Sequence, residues 1–414
     1  MADDDASEPG GSWTATGSDS FTETEHRSWW DRLGGAFTGI LFGLLLIPGS
    51  SFLLFWNEGR AVQTARSLAE GAGIVVSVEA GRVDPALDGR LVHAAGPITS
   101  AGTLRDAEFG VAAQGALRLI RTVEMYQWRE ETQSETRSRV GGGQETVTTY
   151  RYVRGWSSEP IDSANFRRPD GHQNPPMRFR SRETVASDAR LGARAITSTQ
   201  LSGFGPSQAL PVTTVQGQRQ QIVDGAVYLG ADPASPRIGD MRVSFAVVPS
   251  GPGSVIGRQA GDGFEPYQTR AGDRLFLLRP GTHPASDMIR AAESENRVLT
   301  WVLRGVGAVL MFIGFLLILR PLVVFADVVP LFGSIIGAGT GIVAGLLTLL
   351  LAPLVIAVAW FWFRPLVAGI VLAAGVAGAV VMSRWAAARR AARAPVGRAS
   401  AAAARPAAGP WVSR

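Results

Sequence analysis

Apolar positions gather at the two ends of the chain. Residues 33–56 (LGGAFTGILFGLLLIPGSSFLLFW) carry no charge, a second apolar region fills residues 298–382, and residues 57–297 between them have an ordinary soluble composition. A hydrocarbon core about 30 Å thick takes roughly 20 apolar residues of helix, so residues 33–56 predict a spanning helix. It is expected to stay attached: 32 mostly polar residues precede it, it exceeds a signal-peptide core, and Asn57-Glu58-Gly59-Arg60 follows in place of a small-residue cleavage site. At the other end three spans are expected, at residues 298–319, 331–363 and 366–382, bounded by Arg320-Pro321, Arg364-Pro365 and Arg384. The middle one is too long for an upright crossing, so its first part is expected to be interfacial or steeply tilted. Trp301, Trp360, Trp362 and Trp385 stand near the predicted ends, where amphipathic rings favour the headgroup level.

Within residues 57–297 the periodicities predict a strand-rich α+β domain. Ala61, Ala65 and Leu68 form a stripe that continues the first helix as a stalk, with Gly71 and Gly73 as stop signals. Short strands are expected at 73–78 and 89–98. A long hairpin follows: residues from Leu117 alternate, Gly141-Gly142-Gly143 makes the turn, and the return arm runs over 145–156 with Tyr150, Tyr152 and Trp156 on one face. Residues 178–221 give mixed signals, and a helix or two is expected there. Strands resume at 225–229, 241–248, 254–259, 264–269 and 274–278, separated by turn residues. Residues 285–297 predict a second helical stalk leading into the second span. The fold class is thus an α+β membrane protein, with one N-terminal and three C-terminal transmembrane helices flanking an extracytoplasmic domain.

Charge sets the orientation. Residues 383–414 are expected to form a disordered cytoplasmic tail with seven arginines and no acidic side chain, and residues 1–32 a disordered acidic tail on the same side, supported by Arg27 and Arg32. The formal net charge is +5 and the pI near 10.3, but much of the excess lies in the C-terminal tail, where anionic lipid explains it better than nucleic acid. All 40 basic residues are arginine and 49 residues are glycine, a usage that fits a GC-rich bacterial genome and therefore an inner-membrane protein. Cysteine is absent, which excludes disulfides, thiolate catalysis and Cys-ligated zinc.

Several words fall in one order along the chain: NEGR at Asn57, SLAEG at Ser67, GRLVH at Gly89, EMYQW at Glu124, GHQNP at Gly171, GD-x-RVSF at Gly239 and RPL at Arg364. With the one-plus-three span layout, they make the chain resemble the transmembrane protein 43 (LUMA) family over roughly residues 30–382. In animals that family is a scaffold of the endoplasmic reticulum and inner nuclear membrane, with a lumenal domain, self-association, and lamin and emerin as partners. The resemblance implies topology, an organising role and no known catalysis. The nuclear partners do not carry over to a bacterium.

The candidate chemistry is sparse. Glu124, Tyr126 and Trp128 share one strand face, and a carboxylate beside aromatics suits a cationic or polar ligand; the plainer reading is sheet packing, with Glu124 paired to an arginine such as Arg151. His172 and Asn174 lie in a Gly/Pro-rich loop, where side chains commonly bond their own backbone. His26, His93, His172 and His283 are far apart and no metal-ligand spacing occurs, so neither a metal nor a cofactor is expected. There is no GxSxG, and Gly251-Pro252-Gly253 reads as a loop with no helix to cradle phosphate. The membrane segments hold Gly35, Gly39 and Gly43, and again Gly333, Gly337, Gly341 and Gly345, at a spacing that lets helices approach closely. Arg304 alone is ionisable within a span and is expected to snorkel outward. The leading expectation is a non-enzymatic membrane scaffold whose partners are lipids, further copies of itself and an unidentified membrane or periplasmic protein. An envelope hydrolase with a scattered site and a transport-complex component are the alternatives.

Overall fold

A computed structural model of the chain describes residues 14–15, 19–214, 220–328 and 330–392. The elements that matter here are strand β1 (Ser20–Arg27), helix α1 (Trp29–Ile74), strands β2 (Leu91–Thr99), β3 (Ala116–Ser138), β4 (Gln144–Ser157), β5 (Met241–Pro249) and β6 (Gly251–Ala260), and helices α2 (Ala285–Ala326), α3 (Pro330–Phe363) and α4 (Pro365–Ala392). Two compact units are distinguished, Met1–Val355 and Ile356–Arg414, with α4 in the second.

Among the described residues, three helices are long and apolar enough to cross a membrane: Trp29–Ile74, Ala285–Ala326 and Gly333–Phe363. The four-span expectation is met to that extent; residues 366–382 lie in α4, a helix of 28 residues. Residues 331–363, expected to be partly interfacial or steeply tilted, lie in α3, which runs unbroken for 34 residues.

The domain is strand-rich. Among the described residues one sheet has nine strands and places β1, β4, β3 and β5 side by side, and a second has seven, with β6 paired to β2. Leu117, Leu119, Val123 and Met125 of β3 and Val243, Phe245 and Val248 of β5 share one core with Val92, Ala94 and Ile98 of β2 and Val255 of β6. That alternation along β3 is the period of two that a half-buried strand requires. The hairpin forms as expected, β3 and β4 pairing from Met125↔Ser157 to Ser138↔Gln144.

Three expectations need correction. Among the described residues of 178–221 the expected helix or two is reduced to one four-residue turn at Ser198–Leu201, and short strands lie at Arg182–Val185, Arg190–Leu191, Arg194–Ala195 and Gln208–Leu210. Tertiary partners decide this stretch: Arg182–Val185 adds to β3, and Gln208–Leu210 to β5. Gly251-Pro252-Gly253 is the start of β6, paired to Ile98, Pro97 and Gly96, and the lack of a side chain at Gly253 lets Ile98 approach. Finally, Ser20–Arg27 is strand β1, paired along its whole length with β4, whereas a disordered tail was expected.

Helices α1 and α2 form an antiparallel pair that runs from the apolar segments into the domain. Near the start of α1, Gly43 faces the Gly314 carbonyl; further along Leu54 faces Gly307; beyond the apolar segment Asn57 donates to the Thr300 carbonyl at 3.1 Å and Asn296 to that of Ala61 at 3.0 Å. At the far end Leu68, Met288 and Ile289 are buried with Leu91, Ile256 and Leu275 of the domain. Both stalks are therefore continuations of membrane helices. Gly71 does not stop α1, which ends at Ile74; there Gly71 gives room to Leu275.

Candidate functional site

The words EMYQW and GHQNP, distant in sequence, meet on the hairpin. Asn174 clamps the Trp128 backbone: its Oδ1 accepts from the Trp128 N–H at 2.7 Å, and its Nδ2 donates to the Trp128 carbonyl at 2.9 Å and the Ile161 carbonyl at 3.2 Å. The amide thus satisfies one residue of the outer strand edge, as a neighbouring strand would, beside Tyr126, whose N–H and carbonyl bond Asp240 and Gly239. His172 stacks on Tyr152 with centroids 3.9 Å apart and meets the Trp128 ring edge-on at 4.9 Å. Its Nε2 lies 3.8 Å from Asp19. The Tyr152 hydroxyl donates to Glu130 at 2.8 Å and accepts from the Arg168 N–H at 2.9 Å. Burial first, then the bond to Glu130, pushes the Tyr152 phenol up to about 12. These polar groups face one another or the backbone, an arrangement that stiffens the base of the ribbon.

Glu124 does not face Arg151, which lies opposite Glu131. Its partner is Arg242 on β5, directly across the ladder, with Nε 2.6 Å from the carboxylate. Glu124 does meet an arginine, but from the other neighbour strand: β3 lies between β4 and β5, and Glu124 is level with β5. Arg242 also lies over the Trp156 ring, 4.8 Å from its centroid. Tyr126 packs edge-on against Trp156 at 5.4 Å, while Trp128 takes the Arg154 guanidinium on its face at 5.2 Å.

The strongest polar constellation lies between the helices. Glu58, wholly buried, accepts from Arg304 Nε at 2.6 Å, and the Arg304 guanidinium lies over the Trp301 ring. Arg60 donates to Asn296 at 3.0 Å and to Thr300 at 3.1 Å. Arg304 thus meets a carboxylate that α1 presents two residues past its apolar segment. The signal was the NEGR word with an arginine inside the second span; what sequence could not supply was the antiparallel register that joins residues 246 positions apart.

A second cluster joins the opposite end of the helix pair to the hairpin tip. Trp29 Nε1 donates to the Val324 carbonyl at 2.9 Å, and Arg32 donates to the Gly142 carbonyl at 2.6 Å and pairs with Asp327. The Gly141 N–H donates to the Val328 carbonyl at 3.2 Å. Gly142 has φ +80°, and the Trp29 ring occupies the space a side chain would need. Ser28 and Asp31 form a reciprocal capping box that starts α1 here, a Ser-x-x-Asp signal present in the sequence.

The glycines divide. Gly43 is the tight one: a Cβ there would stand 2.6 Å from the Gly314 carbonyl oxygen, and Gly39 would lie 3.6 Å from Leu317. A Cβ at Gly35 or Gly341 would meet no neighbouring element within 4 Å among the described residues. A Cβ at Gly337 would lie 3.7 Å from Val323 and one at Gly345 4.0 Å from Phe312, while one at Gly333 would run into the Asp327 side chain. No group of three or more His, Cys, Asp or Glu able to hold a metal occurs among the described residues.

The model of the family described as "Transmembrane protein 43" matches residues 125–365, from the EMYQW strand through α3. The chain belongs to the transmembrane protein 43 family. The mouse transmembrane protein 43 is 34% identical over 355 residues, covering 82% of this chain and 88% of the mouse protein. The human protein is 35% identical over 351 residues, with 81% and 87% covered, and the Drosophila melanogaster homolog is 30% identical over 353 residues, with 83% and 94% covered. No solved structure matches.

Proposed function

We propose that this transmembrane protein 43 family member is a non-enzymatic scaffold of a bacterial inner membrane. In this reading α4 is a fourth span, both termini are cytoplasmic, and the strand-rich domain is extracytoplasmic, where it binds further copies and an envelope protein partner. One observation supports this above the rest: α1 and α2 pass without a break from membrane-length apolar segments into the domain core, and the Glu58–Arg304 pair locks them at the boundary. A soluble enzyme needs only a flexible tether to stay near a membrane. Two continuous, mutually packed helices fix the orientation of the domain to the membrane plane, which matters for a protein that positions others. The basic C-terminal tail favours the anionic cytoplasmic leaflet.

The test is chemical crosslinking of the full chain in native membranes, followed by mass-spectrometric identification of what is joined. Multiples of the chain, with a recurrent envelope protein, are the expected result. A chain that stays single, or that hydrolyses ester, amide or glycoside probes in an envelope extract, would overturn the reading.

A further inference from the structure

Where the chain leaves the seven-stranded sheet it turns a corner, and the corner is hollow. Residues Gly263–Glu265 pair with β6, whereas Tyr267–Gln268, just beyond them, pair with Arg274–Leu275 in a separate two-stranded ladder. Pro266 stands between the two; without an N–H and with a fixed φ it ends the first ladder. The hollow measures about 630 Å³, opens to solvent, and is lined by Arg258, Glu265, Pro266, Tyr267, Gln268 and Arg274. Ligand sites commonly have volumes of about 300 to 1,000 Å³.

Charge in this hollow is unbalanced. Arg258 pairs with Glu265, its neighbour across the ladder. Arg274 is exposed and has no ion pair among the described residues, and the carboxylate beside it in sequence, Asp273, accepts instead from Gln63 of α1 at 2.7 Å. Two guanidiniums against one carboxylate leave the walls with one positive charge in excess. Gln268, level with Arg274, adds an amide, and Tyr267 adds a half-buried ring. A guanidinium presents a planar fork of donors that matches the oxygens of an anion, and Glu265 keeps Arg258 turned toward the hollow's rim.

The position of the hollow selects the anion. The turn that joins its two strands packs on α1 just past the apolar segment, through Asp273 on Gln63 and Thr269 on Ser67 at 2.8 Å. Gln63 is seven residues beyond Trp56, about 10 Å along a helix. Phosphate is the abundant anion at a bilayer surface. We propose that this corner is a phosphate-binding site, in which Arg274 and Arg258 hold the anion and Tyr267 packs against the group that carries it. The carrier is a phospholipid headgroup or a soluble phosphate ester, since the chemistry of recognition is the same for both. Tyr267 also packs against the cluster of Leu68, Leu275 and Met288, where the helix pair enters the domain, so an occupied site braces that junction. The site goes beyond the scaffold reading and does not depend on it.

The test uses the full chain in a non-ionic detergent, titrated at constant ionic strength with glycerol 3-phosphate in one arm and short-chain phosphatidylglycerol in the other. Diacylglycerol, which lacks phosphate, is the control, and bound molecules are counted by native mass spectrometry. Saturable binding of either phosphate compound is expected, with Arg274→Gln and Arg258→Gln about tenfold weaker, as loss of one charged hydrogen-bonding group implies. Arg105→Gln, which removes an exposed arginine elsewhere in the domain, should bind as the parent does. Binding of the soluble ester assigns a water-borne ligand, and binding of the lipid alone assigns a headgroup. The inference is overturned if neither compound binds more than diacylglycerol does, if Arg274→Gln matches the parent, or if Arg105→Gln loses as much. Should Arg274→Gln not fold, Arg274→Lys decides, because it keeps the charge without the fork: weaker binding supports the site, and parental binding overturns it.

Discussion

The buried Glu58–Arg304 pair makes the sharpest residue-level claim. Removing one partner of a buried pair leaves the other charge without compensation, typically at about 3 to 5 kcal/mol, whereas replacing both by apolar groups is often neutral. Glu58→Gln and Arg304→Met should each lower the thermal midpoint of the detergent-solubilised chain, and Glu58→Leu combined with Arg304→Met should recover most of the loss. If the double variant is as weak as the sum of the singles, the pair is not a unit. His93 gives a pH dependence. Its Nε2 lies 2.9 Å from the His283 carbonyl, which can only accept, so Nε2 carries the proton and Nδ1 accepts from Ser77 at 3.3 Å. Burial, opposed by the bond to His283, holds the imidazole below its ordinary value near 6.5. The unfolded chain then takes up the proton first, so the contribution of His93 to stability is full above about pH 6.5 and declines as pH falls toward the lowered folded value. Melting curves between pH 7.5 and 5.5 should show a smaller acid loss for His93→Gln than for the parent; equal slopes would refute the assignment.

At the level of elements, legibility followed the locality of the signal. The hairpin was readable because its apolar alternation and Gly-rich turn lie within one segment, and the apolar spans because length alone marks them. Strand β1 was not readable: SFTETEHR has no buried face, and it becomes a strand because β4 offers an edge and Phe21 stacks on Tyr150 at 5.0 Å. The short strands of 182–195 were illegible for a related reason. They are two to four residues long and are held by distant partners, as Glu183 is by Arg118 at 2.6 Å. In the candidate site, Trp128, His172 and Asn174 were singled out by residue type, but only the fold shows that Asn174 closes the strand edge at Trp128. Trp128 is half-buried between His172 and Arg154, so Trp128→Ala should weaken the domain by less than the about 3 kcal/mol typical of a fully buried aromatic, measured by thermal denaturation. Loss of a ligand with unchanged stability would restore a binding role. The glycines separate contacts within a copy from contacts between copies. Gly43→Leu meets the Gly314 backbone and should lower the thermal midpoint, by an overpacking cost of about 1 to 3 kcal/mol. Gly341→Leu, with open space around it, should leave that midpoint alone. Reduced association of Gly341→Leu in the membrane would place that glycine between copies, and unchanged association would place it in lipid.

For the whole molecule, the central claim is that membrane helices and domain act as one stiff body that assembles with others of its kind. The helix pair carries its polar lock where the apolar segment of α1 ends, and its two ends are held by different parts of the same domain. Such a body transmits membrane orientation to whatever binds the strands. The most direct measurement is the number of copies per particle when the full chain is extracted with its surrounding lipid into polymer-bounded discs and weighed by native mass spectrometry. The account predicts several copies of the chain in each particle, with one dominant stoichiometry. A population of single, stably folded chains would contradict it.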